Sequence, residues 1–361
     1  MFENKNIAKL KPYKLASHKA WEFGCDNELL KLDWNEASIL PSPKVKEELL
    51  KFIEKGHINW YPDTNNALLL KELSLYTNLP IDNIQYFAGS DSLHEYIAKV
   101  FVGDGDKITI VSPTYDNFRS SMESCGGVVD YFYLDSNFIL NVDNFIKYLC
   151  EYKPKIVYIC NPNNPTGTVY DISLIEKIIS KFSSILFIID EAYWEFNGIT
   201  SKDLVLKYNN ILICRTFSKV FALASFRMGY ALSSVEVIKL LSKVRNSKGI
   251  NMFSQIAAIA ALQDKEYMLN YANEVVLAKK YFDNEIRLLG YEVFGNSGNF
   301  SLIKLKDITQ KRECIKFLEQ NKIFVRDYGH VANMENFIRI TIGTTNQMQK
   351  VIEVIKIFHE K

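Results

Sequence analysis

The sequence predicts an α/β protein: a large domain whose mostly parallel sheet is flanked by helices, joined to a smaller α+β domain. Three observations predict it. The 361 residues are enough for two domains of ordinary size. In the middle of the chain, short apolar, β-rich runs alternate with helical patterns, as in a sheet covered on both faces. Beyond about residue 264 that alternation gives way to longer helices and paired short strands.

The elements follow in order. Residues 1–45 are rich in Pro, Asn and Lys with little periodicity. They read as an extended arm and part of the small domain, packed on something other than itself. Residues 46–263 read as the large domain, with strands at KITIVS (107–112), KIVYIC (155–160), ILFIID (185–190), NILICRT (210–216) and GYALS (229–233). A helix is expected over 92–102, and another capped by Asp171 with Ile172, Ile175, Ile178, Ile179 and Phe182 on its apolar face. Ser234 precedes a third, with Val235, Ile238, Leu241 and Val244. Residues 264–361 read as the small domain: a helix from Asp264 to Leu289 ending at Gly290, strands at EVFG, NFSLIKL, IFVRD and NFIRITIG, and helices over 310–320 and 346–359.

Composition excludes several classes. Lys plus Arg number 43 against 42 Asp plus Glu, so no net field draws the chain to nucleic acid or to an anionic membrane. The start, MFENKNIAKLKPYK, lacks the apolar core of a secretory signal. No apolar run approaches the ~20 residues of a membrane helix. The six cysteines (25, 125, 150, 160, 214, 314) form no CxxC pair, and most sit in apolar runs. They read as buried free thiols of a cytoplasmic protein. The five histidines stand far apart, so no metal site is expected.

In open α/β sheets, ligands sit beyond the carboxyl ends of the strands. Polar residues gather there: Asn161 to Gly167 (NPNNPTG), Asp190-Glu191-Ala192-Tyr193, Thr216-Phe217-Ser218-Lys219 with Arg227 eight residues on, and Ser112-Pro113-Thr114-Tyr115. Ala88-Gly89-Ser90-Asp91 precedes the expected helix. These types fit one cofactor, pyridoxal 5'-phosphate (PLP). Its aldehyde needs an amine, Lys219, whose proton affinity falls on desolvation so that it can act as a base. Its pyridine nitrogen stays protonated beside a carboxylate, Asp190. Its phenolic oxygen wants donors, Asn164 and Tyr193, and its ring face an aromatic cover, Tyr115. Its phosphate wants a helix N-terminus, hydroxyls and a guanidinium: Gly89-Ser90-Asp91, Thr216, Ser218 and Arg227.

With these motifs in place, the sequence resembles the fold-type I PLP-dependent aminotransferases, and within them the histidinol-phosphate aminotransferase group. The resemblance runs over nearly the whole chain: KLKPY near Pro12-Tyr13, LDWNE at Asn35-Glu36, WYPD at Tyr61-Pro62-Asp63, AGSD, SPTY, NPNNPTG, DEAYWEF, TFSKVFALASFRMGY, SGNF at 297–300 and FVRDY…FIRITIG. It implies that Lys219 holds the cofactor as a Schiff base, with Asp190, Asn164, Tyr193, Tyr115, Ser90, Asp91, Thr216, Ser218 and Arg227 around it. It implies a homodimer, because Tyr61 matches a tyrosine that reaches the partner's cofactor phosphate. It implies that Arg339 clamps the donor carboxylate, that Arg326 helps bind an acceptor phosphate, and that Asn35 borders the substrate. Departures from the family pattern lie at Ala37-Ser38, Ser92, Asp116-Asn117-Phe118, Ala222 and Ser225. The arm and the Tyr115 loop are placed to line the variable end of the substrate.

The function this implies is amino transfer from glutamate to a small ketone bearing CH2-O-phosphate, by a ping-pong mechanism. Imidazole acetol phosphate and dihydroxyacetone phosphate both satisfy it. A PLP-dependent decarboxylase of a phosphorylated amino acid would need the same cofactor set. A non-catalytic PLP-binding regulator would need an added DNA-binding or partner domain, and no helix-turn-helix precedes residue 35.

Overall fold

The computed structural model describes residues 2–12, 19–24 and 28–361. Tyr13 of the KLKPY motif and Cys25 lie outside the described residues. Twelve strands are described: β1 (Leu30–Leu32), β2 (Ile84–Phe87), β3 (Lys107–Ser112), β4 (Val128–Tyr133), β5 (Ile156–Cys160), β6 (Leu186–Asp190), β7 (Ile211–Thr216), β8 (Gly229–Ser233), β9 (Glu292–Phe294), β10 (Phe300–Lys304), β11 (Ile323–Asp327) and β12 (Phe337–Thr341). They form a seven-stranded sheet in the order β2-β8-β7-β6-β5-β3-β4 and a five-stranded sheet in the order β1-β11-β12-β10-β9.

In the larger sheet β3 to β7 run parallel, and β8 runs antiparallel to both neighbours, β7 and β2. Register decides what this does for a site. Cys160 pairs with Asp190 and Asp190 with Cys214, so β5, β6 and β7 end at one edge. Because β8 is reversed, its first residue, Gly229, faces both Thr216 and Phe87. The segment carrying Arg227 and the helix that follows β2 therefore start at that same edge. β5 to β8 are buried almost throughout, as their continuous apolar runs require in a sheet covered on both faces.

The five-stranded sheet pairs β9, β10, β12 and β11 antiparallel and adds β1 parallel to β11. The arm does not stay apart from its own chain. Leu32, Asp33, Asn35 and Ser42 are buried, because β1 completes this sheet and the residues after it enter the cleft beside β12. Asn6 donates to Asp104, and Arg119 to the Lys11 carbonyl, so residues 5–11 also lie on the chain's own body.

The expected helices are present with shifted ends: Gly89–Phe101, Ile172–Ile179, Val235–Val244, Lys265–Leu288, Ile308–Gln320 and Thr345–His359. Ser234 caps its helix through its side chain, whereas Asp171 stands at its N-cap position without a side-chain capping bond. Cys160, Cys214 and Cys314 are buried free thiols, but Cys125 is half-buried and Cys150 exposed. Cys150 follows Leu149, on the outward side of its helix. Among the described residues, no helix is long and apolar enough to cross a membrane.

Candidate active site

Lys219 stands three residues beyond β7. Its loop is tied by the Phe217 N–H to the Met228 carbonyl (2.9 Å) and by Leu223 N–H to the Phe217 carbonyl (3.1 Å). The bend requires a left-handed backbone at Ala222 (φ 58°) and Arg227 (φ 49°), a conformation that costs least for glycine. Lys219 Nζ donates to the Trp34 carbonyl at 3.0 Å and lies 5.7 Å from the centre of the Tyr193 ring. Burial, and secondarily the positive charge of Arg339, lower its pKa to about 8.

Asp190 closes β6 and is buried. Its Oδ1 accepts from the Ala192 N–H (3.0 Å) and its Oδ2 from the Tyr158 hydroxyl (2.8 Å). Three residues on, the Tyr193 hydroxyl accepts from Asn164 Nδ2 (3.2 Å) and from Asn35 Nδ2 (3.1 Å). With both bonds accepted, its own proton is left to donate. Desolvation holds the phenol well above its ordinary pKa, so it remains a donor.

The third group lies where the Gly89–Phe101 helix begins. Its first-turn N–H groups have no intrahelical acceptor. Thr216 Oγ1 donates to Ser218 Oγ (2.9 Å) and accepts from the Ser218 N–H (3.0 Å), and Arg227 Nη1 reaches Ser218 Oγ at 3.5 Å. A Cβ on Gly89 would lie 2.9 Å from Arg227 Nη2, and one on Gly229 would lie 3.1 Å from the Ser90 nitrogen. Both glycines are what let the helix start sit against this guanidinium. Asp91 accepts from Tyr115 (2.9 Å), Asn117 (3.2 Å) and Arg227 (3.1 Å), so its carboxylate is occupied in holding those three. Only its main-chain N–H is suited to face an anion.

The fourth group is on the five-stranded sheet. Arg326 on β11 is directly opposite Arg339 on β12, and both are buried. Arg339 donates to Asn164 Oδ1 (2.6 Å), the Tyr328 hydroxyl (2.9 Å) and the Asp33 carbonyl (2.7 Å). Its Nε–H is buried with no acceptor among the described residues. Asn164 thus joins Arg339 to Tyr193. Asn35, with a left-handed backbone (φ 54°), is fixed by the Thr341 hydroxyl, which its N–H reaches at 3.0 Å.

Tyr61 is apart from all of these, 79% exposed, with Lys248 Nζ 4.4 Å from its ring centre. A cavity of about 1110 Å³ between residues 6–12 and 330–337 is also lined by Ser112, Pro113, Thr114 and Asp116 from beside Tyr115, but not by Lys219, Asp190, Arg326 or Arg339. Sequence reasoning missed Tyr158, His94, Tyr328 and Thr341. Tyr158 and Thr341 each carry a polar tip out of an apolar run, and such a tip signals a buried partner, whereas His94 and Tyr328 stand in mixed segments, DSLHEY and VRDYGH, that give no such signal.

The residue set fits PLP. An orphaned proton on Tyr193, a buried carboxylate at the end of β6, a desolvated amine and an anion cradle of amides, hydroxyls and guanidinium occupy neighbouring strand ends. A metal would need several clustered anionic or imidazole ligands, and an acidic coenzyme without an aldehyde would have no use for Lys219.

Comparison with known proteins agrees. A family model described as aminotransferase class I and II matches residues 27–355. The chain is 46% identical to a dihydroxyacetone phosphate transaminase of Campylobacter jejuni, covering 100% of this chain and 98% of that protein. It is 33% identical to a histidinol-phosphate aminotransferase of Methanococcus aeolicus, covering 91% and 90%. Its fold is similar to the crystal structure of a histidinol-phosphate aminotransferase from Sinorhizobium meliloti in complex with pyridoxal-5'-phosphate, with a TM-score of 0.90, 22% identity and coverage of 99% and 98%.

Proposed function

The chain belongs to the class I and II aminotransferase family, and from that premise we propose that it is a PLP-dependent enzyme moving an amino group from glutamate to a small phosphorylated ketone, with dihydroxyacetone phosphate as acceptor. One observation carries the substrate class: two buried arginines, Arg326 and Arg339, face each other across β11 and β12. Like charges directly opposite in a sheet repel. A multiply anionic substrate would turn that repulsion into binding, and arginine suits both carboxylate and phosphate. The unpartnered Arg339 Nε–H is a further donor for such a group. The likeness to the Campylobacter transaminase supports the triose acceptor over one bearing an imidazole.

When bound, PLP supplies an aldehyde that takes up the amino group and a pyridinium ring that draws electron density from the substrate carbon. The residues do the rest. Lys219, held near pKa 8, would attach the cofactor and serve as the base that moves a proton at the substrate carbon. Asp190 keeps the ring nitrogen protonated. Tyr193 and Asn164 would donate to the ring oxygen, and Tyr115 would cover the ring face. The amides of Ser90 and Asp91, the hydroxyls of Thr216 and Ser218 and the Arg227 guanidinium hold the phosphate. Arg339 and Arg326 bind the anionic ends of donor and acceptor in turn, and Asn35 fixes Tyr193 beside them.

The active form is a cytoplasmic homodimer in which Tyr61 reaches the partner subunit's cofactor phosphate. Its support is the exposure of Tyr61 (79%) beside Ile58 (59%) and Trp60 (66%), apolar surface that a partner would cover. Transfer of 15N from labelled glutamate to dihydroxyacetone phosphate tests the reading. Label appearing as an amine on the three-carbon phosphate supports it, and label retained in glutamate contradicts it.

A further inference from the structure

We propose that His94 is a positioning residue for Asp190, donating its Nε2–H to the carboxylate that the cofactor's ring nitrogen meets. The inference rests on the PLP reading above and adds a residue to it.

His94 lies on the buried face of the Gly89–Phe101 helix, whose other buried side chains include Leu93, Ile97 and Ala98. Packing alone asks for an apolar residue there. Instead the position holds an imidazole that is 0% exposed, and neither ring nitrogen has a hydrogen-bond partner among the described residues. Burying a polar ring without partners opposes folding, so a leucine would serve the fold better. The ring is aimed. Phe118 meets it edge-on at 5.1 Å and Tyr158 at 5.8 Å, with interplanar angles of 85° and 89°. Its Nε2 stands 3.6 Å from Asp190 Oδ2. That oxygen already accepts from the Tyr158 hydroxyl at 2.8 Å. A carboxylate oxygen has room for two donors, and a shift of a few tenths of an ångström brings Nε2 into hydrogen-bond range.

The chemistry of such a contact is defined. Asp190 serves the ring nitrogen only while it remains anionic and correctly turned. Ala192 N–H fixes one of its oxygens and Tyr158 the other. A second donor on Oδ2 lowers the basicity of the carboxylate, so the shared proton stays on the cofactor's nitrogen. It also locks the carboxylate plane, as outer donors orient an inner ligand at a metal.

The test uses the holoenzyme loaded with PLP labelled with 15N in its ring, observed by NMR, together with steady-state kinetics. In the wild type the ring nitrogen should be protonated. In His94→Leu its shift should move toward the unprotonated value and kcat should fall about tenfold, the scale of one hydrogen bond to a charged group, with KM for glutamate unchanged. His94→Gln, which keeps an N–H of similar reach, should restore most of both. A merely structural histidine would instead lower the unfolding temperature in His94→Leu and leave the nitrogen shift in place. That outcome, or an unchanged shift and rate, overturns the proposal. An unprotonated ring nitrogen in the wild type overturns the role of Asp190 and this inference with it, whereas failure in His94→Leu alone leaves Asp190 standing. If His94→Leu does not fold, 15N-histidine spectra of the wild type decide: a proton on Nε2 of His94 supports the contact, and a bare Nε2 contradicts it.

Discussion

Arg326 and Arg339 stand directly opposite each other on neighbouring antiparallel strands, both buried, and the charge of Arg339 reaches the Lys219 amine. Donor and acceptor must react at one place on one cofactor, and a displacement of ~1 Å can cost ~10²-fold, so both substrates' anions are expected to use this pair. Arg339→Lys keeps the charge but loses the planar fork. It should slow both half-reactions by about tenfold or more. Arg326→Lys should slow the ketone phosphate half-reaction more than that of glutamate. Single-turnover rates of each half-reaction, measured separately, check this, and a wild-type glutamate rate in Arg339→Lys would refute a shared clamp.

Lys219 sets a pH dependence. Burial, then Arg339, hold its amine at about 8, whereas an ordinary lysine titrates near 10.5. The neutral amine is the form that captures an aldehyde. The rate at which cofactor-free enzyme takes up PLP covalently should therefore rise with pH up to about 8 and level off above it. Removing the Arg339 charge with Arg339→Gln should raise the amine's pKa and move the plateau to higher pH. A wild-type rate still climbing toward pH 10 would contradict the lowered pKa.

Asp190 is expected to keep the cofactor's ring nitrogen protonated. Asp190→Ala should cost at least ~10³-fold in kcat, about 4 kcal/mol of transition-state stabilisation, while circular dichroism stays unchanged. A loss of less than tenfold with PLP still bound would remove the carboxylate from its assigned role.

Tyr61 tests the shared site. Lys219→Ala and Tyr61→Phe should each be nearly inactive as homodimers. Mixing the two under conditions that exchange subunits should give each heterodimer one intact site, half of a wild-type dimer's activity, or about a quarter of wild-type activity in a random one-to-one mixture. A fully active monomer by sedimentation would rule out a site completed by the partner.

Much of this was legible in the sequence because the chemistry follows strand ends, and the central strands announce themselves. β5, β6 and β7 are mainly apolar runs; β6 and β7 end on Asp190 and Thr216, and Asn161 follows β5. The strands that escaped notice, β2 and β4, are the two edges of the seven-stranded sheet. β2 has only four residues, and VVDYFY of β4 is partly exposed, with Asp130 accepting from Tyr148 rather than breaking the strand. β1 was hidden for another reason. Three residues gain their strand character only by pairing with β11, almost 300 positions away. The site shows the same division. Lys219, Asp190 and Arg227 stand in local motifs, but His94, Tyr158 and Tyr328 matter only through what they meet in space. Asn164 stood in a visible motif, yet its part in joining Arg339 to Tyr193 needed both sheets.

The most direct measurement is a single-turnover experiment. The enzyme is first converted with glutamate to the form in which the cofactor carries the amino group, then freed of glutamate. A panel of ketones is offered, and the return of the starting absorbance is followed. Dihydroxyacetone phosphate should restore it within seconds, imidazole acetol phosphate more slowly, and unphosphorylated dihydroxyacetone hardly at all. Equal rates with and without the phosphate, or no recovery with any ketone alongside CO2 release from a phosphorylated amino acid, would contradict amino transfer to a phosphorylated ketone.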